Sequence, residues 1–166
     1  AEAWDIALSR ASGPTLLALT RQNCEALRLD DHDGNRSKRG AYELADANGD
    51  AVVSLFATGS EVGTAVRAKG LLDMDGIPTR VVSVPSFELF ERQPAEYRSE
   101  VIGTAQVNVG IEAAVRMGWD RLIGMDGIFV GMSGFGASAP FEELYEHFGI
   151  TPEAVVAKVK ARLADE

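Results

Sequence analysis

Short apolar runs rich in β-branched residues recur along this chain, each followed within a few positions by an amphipathic stretch. That alternation constrains the fold more than any single motif. AVVSLFA, residues 51–57, runs through ATGSE into VGTAVRAKGLL, and TRVVSV, residues 79–84, runs into PSFELFERQPAEYRSEVI. A chain that goes strand, helix, strand must cross over between strands, which makes neighbouring strands parallel and lays helices on both faces of the sheet. The expectation is an α/β fold, a three-layer αβα sandwich on a mostly parallel sheet of roughly five strands.

The elements can be placed in order. Trp4, Ile6 and Ala7 read as the end of a helix closed by ASGP, and TLLALT, residues 15–20, reads as a strand, an α-to-β opening. Residues 24–39, CEALRLDDHDGNRSKR, are polar, charged and without periodicity, and read as a linker. Asn48 and Gly49, between two strand-like runs, predict a tight hairpin that adds one antiparallel strand, and residues 51–57 predict a central strand. Ser60 is placed to cap a helix, with Glu61 complementing its positive end and Val62, Ala65, Val66 and Leu72 on one face. Residues 79–84 and 105–109 predict further strands, residues 111–119 have helical spacing, and DRLIG and GIFVGM supply two more short apolar segments. In the tail, Phe141, Leu144, Tyr145 and Phe148 fall on one helix face between Pro140 and Gly149. Thr151, Pro152 and Glu153 then start a last helix with Val155, Val156, Val159 and Leu163 inward.

Composition narrows the function. The 166 residues are 46% hydrophobic with a formal net charge of −9, enough apolar material for a core and the wrong sign for a nucleic-acid or anionic-membrane partner. The longest basic cluster is RSKRG, residues 36–40. One cysteine, Cys24, allows no internal disulfide, which suits a cytoplasmic setting. No apolar run is long enough to span a bilayer, and no basic start precedes a hydrophobic signal region. The chain opens on AEAWDIALSR, without methionine and already helical in pattern, as a piece of a longer polypeptide would.

Several motifs invite chemistry. GMSGFGAS, residues 131–138, satisfies neither G-x-S-x-G nor G-x-G-x-x-G and lacks a phosphate-loop lysine, so it reads as a tight loop before a helix. ATGSE, residues 57–61, presents helix amides that can bind an anion, but Glu61 already brings a carboxylate to that end. His32 and His147 have no partner at metal spacing, and DDHDGN, residues 30–35, lacks the alternating carboxylates of a calcium loop. Glu112 reads as a helix-start carboxylate rather than a buried acid, and Cys24 has no histidine to activate it. Arg21, directly after LLALT, leaves two readings open: a solvated strand end, or a guanidinium aimed at an anion beyond the carboxyl end of a strand.

The combination LTRQN (19–23), ATGSEV (57–62), VVSVPSFELFERQ (81–93), YRSEV (97–101), FGASAP (135–140) and FGIT (148–151), in that order, resembles the C-terminal part of the transketolase family and covers nearly the whole chain. The ending is similar to transketolase rather than to the related deoxyxylulose-phosphate synthases or 2-oxoacid dehydrogenase subunits. The resemblance implies a thiamine-diphosphate enzyme that moves a two-carbon ketol unit from a ketose phosphate to an aldose phosphate, with magnesium or calcium and as a homodimer. It divides the chain into residues 1–38, the end of the pyrimidine-binding domain with a linker, and residues 39–166, the C-terminal domain. The arginine of the family's RQN segment binds substrate phosphate, a role that falls on Arg21. The family's GDG motif, its activating glutamate and its catalytic histidines have no counterpart here, which implies that the chain alone neither binds cofactor nor catalyses. The competing reading is a noncatalytic domain for subunit assembly or a regulatory nucleotide. Two departures stand out: EAA at 112–114 replaces EAG, and Ile102 and Gly103 stand where a Leu-Pro pair is common.

Overall fold

The computed structural model describes residues 1–28 and 34–165. Five strands form one sheet: β1 (Tyr42–Ala45), β2 (Val53–Ala57), β3 (Thr79–Ser83), β4 (Val107–Val115) and β5 (Ile128–Met132). Their spatial order is β1-β3-β2-β4-β5, parallel throughout except for β1, which runs antiparallel to β3. The helices are α1 (Glu2–Ser9), α2 (Glu61–Met74), α3 (Phe87–Glu91), α4 (Ala95–Ile102), α5 (Asp120–Ile123), α6 (Phe141–Phe148) and α7 (Pro152–Ala164).

Central β2 aligns its neighbours: Val53 pairs with Thr79 and Val107, and Ala57 with Ser83 and Ile111. Every residue of β2 and β3 is buried, as expected of strands covered on both faces. Alternation divides the core in two. Val53, Leu55 and Ala57 join Val62, Ala65 and Leu72 of α2 and Val155 and Val159 of α7 on one side. Phe56 and Val82 join Phe90 of α3, Val101 of α4, Trp119, and Leu122 and Ile123 of α5 on the other. The expected three-layer α/β architecture is the observed one. At the tail, Gly149 closes α6 in the left-handed conformation and the Thr151 hydroxyl accepts from Ala154 N at 3.2 Å to start α7.

Several local expectations give way. Residues 15–20 form no strand: the segment has no ladder partner among the described residues, and Leu16 and Leu19 are 91% and 72% exposed. Asn48 and Gly49 turn the chain but close no hairpin, because β1 pairs with β3 instead of β2. Ser60 precedes α2 without capping it. The expected strand at 105–109 continues to Val115, displacing the expected helix at 111–119. Val107, Val109 and Ile111 carry a period of two straight through, and ladders on both sides outweigh local helix propensity. Part of the linker, Arg36–Arg39, is a 3-10 turn capped by Asn35 and fastened to α1 through Glu2, which accepts from Ser37 and Arg28.

The sequence departure at Gly103 has a backbone cause. This residue ends α4 at φ 69 and ψ −165, a conformation closed to proline and open essentially to glycine.

Candidate functional site

The carboxyl ends of β2 and β4 meet the first turn of α2 and the inner face of α6, and there the structure buries Glu61 to 5% exposure. Among the described residues, donors surround it. Ser60 Oγ donates to Oε1 at 2.6 Å, the Tyr145 hydroxyl donates to the same oxygen, and Ala113 N donates to Oε2 at 3.3 Å. Glu61 stands in the first turn of α2 as the sequence suggests, but turned inward. The amides of Glu61 and Val62 are themselves taken by Thr58 O and Gly59 O, so neither stands open to an anion.

Tyr145 carries the arrangement outward. Burial and the hydrogen bond to Glu61 push its phenol up to about 12. Because its single hydrogen goes to Glu61, the phenol oxygen is left to accept, and Gln22 Nε2 donates to it at 3.4 Å. Gln22 Oε1 in turn accepts from the Thr20 hydroxyl. Two further contacts hold the segment that follows: Glu25 lies 3.8 Å from Arg67 of α2, and Leu27 packs against the core.

Arg21 sits between Thr20 and Gln22. It is exposed and makes no ion pair or hydrogen bond among the described residues. It does not end a strand, since none forms at 15–20. It reaches the carboxyl edge of the sheet through its neighbour Gln22.

The other candidates resolve simply. Residues 133–140 form an exposed loop between β5 and α6. Glu112 is a strand residue of β4, not a helix-start carboxylate, and accepts from Trp119 Nε1 at 2.6 Å. His147 and Cys24 are exposed. His32 and most of DDHDGN lie outside the described residues. Among the described residues no three His, Cys, Asp or Glu side chains converge on a metal. No described helix is long and apolar enough to cross a membrane. A cleft of about 480 Å³ at the β1 edge is lined by Arg36, Arg39, Arg80, Tyr42 and Glu43, but Arg80 is fully engaged by Ser54, Glu43 and the Val101 and Ile102 carbonyls, and Arg39 lies over Tyr97.

A profile described as the transketolase-like TK C-terminal domain matches residues 40–151. Transketolase of Cereibacter sphaeroides is 53% identical over 163 residues, 98% of this chain. The chain belongs to the transketolase family. It spans about a quarter of its relatives: those 163 residues are 24% of the Cereibacter sphaeroides transketolase. Among solved structures, transketolase from Leishmania mexicana superposes with a TM-score of 0.85 at 43% identity, over 95% of this chain and 22% of that one. A mutant Pichia stipitis transketolase in complex with fructose 6-phosphate gives 0.88 at 31% identity, over 98% of this chain and 23% of that one. These structures share the sheet described above.

The sequence singled out Arg21 and missed the hydrogen-bonded Gln22, Tyr145 and Glu61 beside it in this transketolase-family chain. Tyr145 was legible only as an inward position of α6, and Glu61 only as a helix-start carboxylate. The Ser60-Glu61 pair, two residues beyond a mostly apolar strand, was the one available sign that a polar group would be buried.

Proposed function

We propose that the polypeptide to which this chain belongs transfers a two-carbon ketol unit from a ketose phosphate to an aldose phosphate, and that this chain contributes Arg21 to the phosphate end of the substrate site. The supporting observation is an exposed guanidinium without an ion-pair partner among the described residues, held beside the carboxyl edge of an α/β sheet, the edge at which such folds collect ligands. A guanidinium offers paired donors to a phosphate, and this remote contact would orient the reacting carbons without taking part in bond-making. The fructose 6-phosphate complex of the Pichia stipitis relative is consistent with a phosphosugar ligand.

Thiamine diphosphate and magnesium or calcium belong, in this reading, to residues outside this chain. Residues 1–38 are read as the end of the pyrimidine-binding domain: the exposed Leu16 and Leu19 are what a strand shows when its ladder partners lie elsewhere in the polypeptide. Residues 39–166 are the C-terminal domain of a cytoplasmic homodimer active in carbohydrate metabolism. The test is an assay of the full-length polypeptide with thiamine diphosphate and magnesium: one ketose phosphate should shorten by two carbons as an aldose phosphate lengthens by two. Consumption of neither substrate would contradict the proposal.

A further inference from the structure

We propose that Tyr145, with Glu61 as its terminal acceptor, is a positioning device that sets the direction of the Arg21 side chain; the inference rests on the phosphate-binding reading of Arg21. The hydrogen bonds form a chain with one polarity. Thr20 donates to Gln22, Gln22 donates to Tyr145, and Tyr145 donates to Glu61. A carboxylate offers only acceptors, and Glu61 also accepts from Ser60 Oγ, itself 3.2 Å from the Tyr145 hydroxyl, and from Ala113 N, so the chain ends on Glu61. This fixes the Gln22 amide with its nitrogen toward Tyr145 and its oxygen toward Thr20, pinning the residues on both sides of Arg21.

A merely structural purpose explains the arrangement poorly. A carboxyl group buried to this degree with no cationic partner among the described residues is unfavourable, and an apolar side chain would pack the α2–α6 junction more cheaply. The network also joins parts of the sequence with little else in common: Tyr145 lies 123 residues from Gln22 and 84 from Glu61. What it adds beyond packing is orientation for the short segment that carries Arg21, since a fully satisfied polar network selects one arrangement.

The experiment uses the full-length polypeptide and measures KM and kcat for fructose 6-phosphate and for unphosphorylated fructose in Arg21→Ala, Tyr145→Phe, Glu61→Gln and the double variant Arg21→Ala/Tyr145→Phe. Tyr145→Phe removes only the hydroxyl, and Glu61→Gln keeps the shape while adding donors that oppose the chain. Each single variant at the network should raise KM for fructose 6-phosphate about 5-fold, the scale of one lost hydrogen bond, with kcat unchanged and no change for fructose. Added to Arg21→Ala, Tyr145→Phe should have no further effect, because the two act through one contact. If Arg21→Ala discriminates between the donors but Tyr145→Phe and Glu61→Gln depress both equally or neither, the positioning inference is overturned and the role of Arg21 stands. If Arg21→Ala itself does not discriminate, the phosphate reading fails and the inference falls with it.

Discussion

Gly103 and Arg80 occupy adjoining space so closely that a Cβ on Gly103 would lie 2.4 Å from Nη2 of Arg80. Arg80, 8% exposed on β3, donates to Ser54 Oγ at 2.7 Å and to the carbonyls of Val101 and Ile102 at 2.7 and 2.5 Å, tying the end of α4 to the sheet. Gly103→Ala should lose about 2–3 kcal/mol, combining an unfavourable backbone conformation with displacement of the guanidinium. Urea unfolding of the chain measures it, and a loss below about 0.5 kcal/mol would mean that α4 ends differently.

Trp119 is fully buried across Gly110, with Glu112 receiving its indole N–H. Glu112→Ala should strand that donor and lose about 2 kcal/mol, while Glu112→Gln, which retains an acceptor, should lose less than about 1 kcal/mol. Equal losses for the two variants would show that the carboxyl group's contact with the indole contributes nothing specific.

The raised Tyr145 pKa carries a sign. The folded state holds the phenol protonated up to about 12, against 10.0 for an unperturbed tyrosine, so the corresponding stability is intact below pH 10 and is lost as pH rises through the interval to 12. The stability difference between the native chain and Tyr145→Phe should therefore be constant at neutral pH and shrink between pH 10 and 12. Chemical denaturation at stepped pH measures it, and a difference that stays flat would contradict a phenol held by Glu61.

How much of this was legible in the sequence follows from where each signal resides. The sheet was readable because β-branched and apolar residues dominate the short runs at β2 and β3, each followed by an amphipathic stretch, and α7 was readable because Thr151 and Pro152 are local start signals. The extension of β4 was not: residues 111–119 have helical spacing, and only the ladders to β2 and β5, contributed by residues far away in sequence, decide for strand. The hairpin failed for a related reason, since Asn48 and Gly49 specify a turn but not which strand β1 will meet. At the site, Arg21 stood out through its setting in LTRQN, whereas the bracing by Tyr145 and Glu61 spans 123 residues and leaves no local pattern.

The central claim is that Arg21 anchors the phosphate of the substrate. Its most direct test is the ratio of KM for fructose 6-phosphate to KM for unphosphorylated fructose in the full-length polypeptide, native against Arg21→Ala and Arg21→Lys. The ratio should rise at least about 10-fold in Arg21→Ala, with partial recovery in Arg21→Lys, which keeps the charge but not the paired donors. A ratio unchanged by Arg21→Ala would contradict the account.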